Sequence, residues 1–354
     1  MGIFAKNLLK FQNRKIGNYV INYKNTSPNF DQIFNYNLKE SIFLLRFVRL
    51  IYYPILAFFN QNKVNHIIDH SYGNLLTTIS SKKTIVTVHD LIPILAYLGK
   101  IQGLKSYFRP ILFEYSIRKL LSSKFVVCVS ETTKKDLIYL TGQEPSRFKV
   151  IYNGLDNHFK QFKISERINC RKKFGINDFE TFNILIVGSE PYKNHNFAIE
   201  VFKKIDQLSS RPLRLIVLKG TSSLTFNIDD CDFNFPIVQL FNITDTEIVE
   251  LYNSVDCLFF PSLYEGFGWP PLEAMACGVP VIASDIEIFR ETLGSCALLS
   301  SPYDIDSMTN NFLELINKVD FRENLINKGL ARAQHFSWDS CFDQYAKLYL
   351  KISS

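Results

Sequence analysis

The chain has 354 residues, above the size at which a single hydrophobic core stops growing, so two domains are expected and a lone small binding module is excluded. With 47% apolar and 21% charged residues, 13 Pro and 15 Gly, the composition excludes a disordered or fibrous chain. The net charge of +6 is unevenly spread, because residues 1–155 hold 21 Lys+Arg against 8 Asp+Glu whereas the remainder holds 19 against 26. Such a basic N-terminal half faces something anionic, with nucleic acid, an acidic membrane surface or a phosphorylated lipid as candidates. Compositional drift in a Lys- and Asn-rich chain is the bland alternative.

Met1 to Lys15 lack the apolar stretch and small-residue cleavage site of an export signal. Ser41 to Asn60, SIFLLRFVRLIYYPILAFFN, is the most apolar segment, but Arg46, Arg49 and Pro54 argue against a membrane span. Two readings stay open: a basic, aromatic helix in a membrane interface with its arginines toward lipid phosphates, or a core helix whose arginines reach the surface. Short β-branched runs follow at Thr84–Val88, Phe125–Val129, Asn183–Val187, Leu213–Leu218, Cys257–Phe260 and Val279–Ile282. Continuous apolar runs alternating with helical patterns predict an α/β chain with parallel sheets buried on both faces. Between residues 150 and 183 the text turns polar and charged, marking the domain junction. The cysteines (128, 170, 231, 257, 277, 296 and 341) form an odd set without a C-x-x-C pair, several of them inside apolar runs, and read as reduced, buried and cytosolic.

The richest stretch for chemistry is Pro261 to Pro280, PSLYEGFGWPPLEAMACGVP, which follows the strand ending at Phe260 and feeds a helix expected to start near Pro271. In open parallel sheets ligands bind at the carboxyl ends of strands, where helix N-termini offer free backbone N–H groups to anions. Gly266 and Gly268 let the backbone approach a ligand closely, and Glu265 and Glu273 can reach one crevice from the strand end and the helix face. Alone, each residue has an ordinary reading: Lys193 a solvated loop lysine, His89 a satisfied structural histidine, the two glutamates a common helix feature. The other histidines, His66, His70, His158, His195 and His335, have no metal-ligand spacing, and no Walker loop or nucleophile elbow is present.

The Glu265 to Glu273 stretch resembles the E-x7-E signature of retaining glycosyltransferases of family 4. Further segments resemble the same family: Val86 to Pro93 (VTVHDLIP), Val129 to Leu137, Val150 to Asp156 (VIYNGLD), Ile186 to Asn194 (IVGSEPYKN) and Phe336-Ser337-Trp338. The likeness runs from about residue 65 to the C-terminus. It implies the GT-B architecture, an α/β fold of two Rossmann-like domains with parallel sheets facing across a cleft. The implied domains are 1–155 on the acceptor side, 156–335 for the nucleotide sugar, and 336–354 as a C-terminal helix packing back toward the N-terminal domain.

The resemblance also implies roles. Glu265 contacts the donor sugar, helped by backbone N–H groups of Gly266, Phe267 and Gly268, and Glu273 accepts hydrogen bonds from the nucleotide ribose. Lys193, in the loop opened by Gly188 and Ser189, meets the diphosphate and offsets charge on the leaving group. His89 lines the reacting centre and bonds a sugar hydroxyl. No metal or other cofactor is expected. Two departures stand out: Ser189 occupies a position where many members carry an arginine, and the chain opens as if with the family's first loop and helix but without its first strand.

The function so implied is retaining, metal-independent transfer of a hexosyl unit from a nucleotide-diphosphate sugar to a glycan, polyprenyl-linked or lipid acceptor in surface-polysaccharide or glycolipid synthesis. The motif form resembles mannosyltransferases and rhamnosyltransferases, which places GDP-mannose ahead of UDP-hexoses. The alternatives are a catalytically weak scaffold or partner subunit, and a GT-B sugar-nucleotide epimerase. No nucleic-acid motif accompanies the basic half, so nucleic acid is not an expected partner. A cytoplasmic protein with peripheral contact to an anionic membrane is expected.

Overall fold

The computed structural model describes residues 2–16, 19–20, 47–176, 178–219 and 233–353. Thr84 to Val88 is an unbroken run of branched and apolar side chains, all buried, and such a run is stable only inside a sheet covered on both faces. It forms β4 of a four-stranded parallel sheet in the order β3 (Asn65–Ile67), β4 (Thr84–Val88), β5 (Phe125–Cys128), β6 (Phe148–Val150). Val86 lies opposite Val126, and Val127 opposite Lys149. Before this sheet come helix α1 (Gly2–Leu9), the paired strands β1 (Lys15–Ile16) and β2 (Tyr19–Val20), a π-helical turn over Val48–Tyr52 and α2 (Tyr53–Phe59). Helices α3 (Ile92–Tyr97), α4 (Ile111–Leu120) and α5 (Glu131–Thr141) connect the strands. Ser130 caps α5, its hydroxyl accepting the Thr133 N–H at 3.0 Å.

A second sheet has six parallel strands, β7 (Phe182–Val187) to β12 (Leu298–Ser300), in the order β12-β11-β10-β7-β8-β9. Here β8 is Leu213–Leu218, β9 Ile237–Leu240, β10 Cys257–Phe260 and β11 Val281–Ser284. Its helices are α6 (Ile164–Lys173), α7 (His195–Leu208), α8 (Asp245–Tyr252), α9 (Trp269–Ala276), α10 (Glu287–Thr292), α11 (Ile305–Asn317) and α12 (Val319–Ala333). The core interlocks aromatic rings, with Phe259 meeting Phe312 at 5.0 Å and Phe202 at 5.5 Å, edge to face. The strand order reverses between β7 and β10, since successive strands run outward from β7 on one side and from β10 on the other. That reversal is where a parallel sheet opens a crevice at its carboxyl edge.

At the opposite edge the same two strands are tied by Asp256. One carboxylate oxygen accepts from Arg171 at 2.5 Å, and the other accepts from both the backbone and side-chain N–H groups of Asn183 at 2.9 Å. The tie fixes the register of β7 against β10, so that their carboxyl ends arrive level.

The last helix, α13 (Trp338–Ser353), belongs to the first unit, which comprises Met1–Leu98, Ser106–Gly154 and Trp338–Ser354. The second unit comprises Gly99–Lys105 and Leu155–Ser337, so a short segment of the expected N-terminal domain goes with the second sheet. Tyr345 and Tyr349 of α13 meet the first sheet through hydrogen bonds: the Tyr345 and Thr87 hydroxyls lie 2.7 Å apart, the Tyr349 hydroxyl lies 2.8 Å from His66 Nδ1, and His66 Nε2 lies 2.8 Å from the Thr87 hydroxyl. Burial pushes His66 down to about 3, so its ring is neutral and links these groups as one donor and one acceptor.

Three expectations are adjusted. Helix α9 starts at Trp269, two residues before Pro271, with Pro270 in its first turn. Among the described cysteines five are buried and Cys296 is half-buried, while Cys231 lies outside the described residues. In the segment Ser41 to Asn60, residues 41–46, with Arg46, lie outside them too. In the rest, Arg49 departs from the outward orientation given to it in both readings: it is half-buried, its guanidinium bonding the Ser71 carbonyl and lying 5.1 Å from the Tyr72 ring. The outward stripe is apolar instead: Phe47, Ile51, Ile55, Phe58 and Phe59, at helical spacing, are 45% to 78% exposed. No helix among the described residues is long and apolar enough to cross a membrane.

Candidate active site

The carboxyl end of β7 turns at Gly188, whose φ of 97° suits glycine, and whose missing side chain leaves room for its neighbours: a Cβ there would stand 2.8 Å from Lys193 Cε. A single 3₁₀ turn, Pro191–Lys193, then carries the lysine back over the strand end. Lys193 reaches β10, where its ammonium donates to Glu265 Oε1 at 2.6 Å and sits 4.3 Å from the Phe260 ring. The same carboxylate oxygen accepts from the Ser262 hydroxyl at 3.0 Å. Both partners of this pair are nearly buried, their side chains 10% and 12% exposed. An ion pair held that far from water is costly unless something else uses it.

Beyond Glu265 the chain passes Gly266 and the buried Phe267 to Gly268, which has φ 85° and precedes α9. A Cβ at Gly268 would lie 2.8 Å from the Phe289 ring, so this close approach excludes a larger residue. Glu273 follows in α9, 8% exposed, with the Tyr252 hydroxyl donating to its Oε2 at 3.0 Å. Burial raises its carboxyl to about 7 against the opposing pull of that hydrogen bond. Ser189 is buried at the strand end, its N–H donating to Glu190 at 3.1 Å, so no side-chain cation stands there. Gly188, Lys193 and Glu265 therefore meet at the strand ends of the second unit, with Ser189 beside them, whereas Phe267, Gly268 and Glu273 follow in the turn and helix after β10, where Gly268 faces Phe289 and Glu273 faces Tyr252. Among the described residues no group of three His, Cys, Asp or Glu is arranged to hold a metal ion.

Comparison with known proteins decides the family. Residues 166–332 match the family described as glycosyl transferases group 1, and residues 23–159 match glycosyltransferase family 4. The chain belongs to these family-4 glycosyltransferases. It is similar to the O-antigen chain mannosyltransferase RfbU of Salmonella typhimurium, 31% identical over 244 residues, covering 66% of this chain and 63% of that one. It is also similar to the O-antigen chain mannosyltransferase B of Escherichia coli, 25% identical over 238 residues, covering 64% and 61%. The matches thus span less than two thirds of these relatives' lengths. In fold the chain resembles Anabaena HepE, crystallised with UDP and glucose, at a TM-score of 0.67 and 17% identity over 91% of this chain and 84% of that one. The two parallel-sheet units are those of the GT-B fold.

The structure places His89, the remaining candidate, in the first unit at the end of β4. Its Nε2 lies 2.8 Å from the Ile68 carbonyl, which can only accept, so that nitrogen carries the proton. Burial lowers its pKa to about 4, which leaves the ring neutral, with Nδ1 as an acceptor. The ring stands edge-on to Phe4 of α1 at 5.2 Å. Tyr252 and Ser262, by contrast, receive no role from sequence. Tyr252 ends a helix in which nothing but burial is legible, and Ser262 lay inside the motif without a distinguishing spacing.

Proposed function

We propose that this glycosyltransferase moves a mannosyl unit from GDP-mannose, with retention and without a metal ion, to a glycan or lipid-linked acceptor of a surface polysaccharide. The observation that carries the reading is the meeting of Lys193 and Glu265 at 2.6 Å, where the strand order reverses. The lysine has two N–H donors left for a diphosphate, and Glu265 is poised to take sugar hydroxyls. The mannosyltransferase names of the relatives support the choice of sugar and of O-antigen-like product.

In the proposed reaction the bond between the anomeric carbon and the diphosphate oxygen breaks while an acceptor hydroxyl attacks from the same face. The acceptor proton passes to the departing phosphate oxygen, and GDP leaves. Lys193 and the backbone N–H groups of Gly266, Phe267 and Gly268 stabilise the charge on that oxygen, so the protein contributes position and electrostatics rather than a covalent intermediate. Thermal shift with GDP, UDP, dTDP and ADP tests the donor. At a hundredfold excess over Kd, GDP is expected to raise Tm by roughly 5 °C, equally with and without Mg²⁺. Stabilisation by another base alone overturns GDP, and stabilisation that needs Mg²⁺ overturns metal independence.

The apolar stripe of residues 47–59, on the more basic half of the chain, is the proposed contact with an anionic membrane. Co-sedimentation with phosphatidylglycerol vesicles is expected at low salt. Phe58→Ser with Phe59→Ser should cut the bound fraction about tenfold, since each ring withdrawn loses on the order of 1 kcal/mol of apolar burial. Equal pelleting of parent and variant removes the stripe from the proposal.

A further inference from the structure

Tyr252 is fully buried at the end of α8, and its hydroxyl makes one hydrogen bond among the described residues, to Oε2 of Glu273. Burial and the facing carboxylate raise its own pKa well above the usual phenol value, so the hydroxyl keeps its proton and can only donate to a carboxylate. The other oxygen, Oε1, accepts no hydrogen bond among the described residues. A buried tyrosine needs a partner, but a neutral amide at position 273 would serve as well. The pairing of a buried carboxylate with one neutral donor and no cation is what calls for explanation, because such a group is destabilising unless a ligand completes it.

We propose that the Tyr252 hydroxyl is a positioning group for the donor site, fixing one oxygen of Glu273 so that the other is presented, ionised, to the ribose hydroxyls of the nucleotide sugar. The inference rests on the reading of Glu273 as the ribose acceptor. Other titratable groups around the carboxyl do not take over this task. Cys277, which caps the C-terminal end of α9, is neutral because burial pushes its thiol up. Arg167 of α6 spends its guanidinium on the Asn253 carbonyl at 3.1 Å and acts on Cys277 rather than on Glu273. The packed helix α12 brings Gly329 against Met275. Tyr252 is thus the group that favours the charged form.

Tyr252→Phe keeps the ring and deletes the donor. Near pH 7 it is expected to raise the Kd for GDP about fivefold, as the ionised fraction of Glu273 falls, with UDP as the second probe. By pH 9 the gap should close to within threefold, because the carboxylate is then ionised in either protein. Turnover at saturating donor should stay within twofold. A loss of affinity that is the same at every pH overturns the proposal, as does no loss at all. Combined with Glu273→Gln, Tyr252→Phe should add no further loss, and additive losses also overturn it. Carbon-13 NMR of the Glu273 carboxyl in the ligand-free protein separates the two readings. Its midpoint should rise by about one unit in Tyr252→Phe. An unmoved midpoint overturns the role of Tyr252, whereas a moved midpoint with GDP binding intact in Glu273→Gln overturns the ribose reading alone.

Discussion

Lys193→Ala is expected to lower kcat by about 10² to 10³, the usual cost of removing one preorganised charge from a developing anion. Donor affinity should fall less, because the lysine's greatest contribution arises as charge builds on the leaving diphosphate. The variant should also lose stability by about 3 kcal/mol, since Glu265, 12% exposed, is left with the Ser262 hydroxyl and no cation. The two effects are separable. Adding Glu265→Gln removes the stranded charge, so the double variant should regain most of the lost Tm while kcat stays low. A Lys193→Ala enzyme that keeps kcat within threefold of the parent would end the case for this lysine as the diphosphate cation.

Glu273→Gln is expected to make the ligand-free protein more stable and a poorer binder. A carboxyl whose folded pKa is raised, here from 4.5 to about 7, stabilises the native state fully below pH 4.5 and progressively less as pH rises through 7. Above that, the folded protein carries an ionised carboxylate in a buried place. The difference approaches about 3 kcal/mol by pH 8, or somewhat less given the 8% exposure. The glutamine variant has no such dependence, and its amide oxygen can still accept from Tyr252. Parent and variant should therefore melt together near pH 4.5 and diverge by several degrees at pH 8, with the variant higher. Calorimetry at the two pH values checks this, and a constant gap between them contradicts it. At pH 8 the variant's affinity for nucleoside diphosphate should fall at least tenfold, because an amide cannot accept two ribose hydroxyls as a carboxylate does.

Stability surrendered for binding is legible in the sequence only in part. Thr84–Val88, Leu213–Leu218 and Cys257–Phe260 announce themselves because, the half-buried Arg214 apart, every side chain is apolar or branched, as a strand covered on both faces requires. The edge strands do not: Asn65–Ile67, Ile237–Leu240 and Leu298–Ser300 are three or four residues long, half-exposed and partly polar, and resemble loop. The glutamates and the glycines between them could be found because their spacing is local. The meeting of Lys193 with Glu265 could not, since 72 residues separate them and only the strand order brings β7 beside β10. Arg49 misleads for a related reason. Residue type gives a charged side chain to the surface, whereas a nearby carbonyl and a tyrosine ring hold this one inside.

The hydroxyls that complete the first sheet come from the last helix, with Tyr345 and Tyr349 bonded to Thr87 and His66. Translation delivers these groups in the opposite order. When Asn65–Val88 leaves the ribosome, His66 and Thr87 have no partner but each other and solvent, and they stay so while the whole second unit is made. The first unit to be synthesised is then the last to be finished, an exception to the rule that N-terminal domains settle first. During that interval its sheet face is open to premature association, and any event that shortens the C-terminus strands polar groups 258 residues upstream, within a different part of the chain from the lesion.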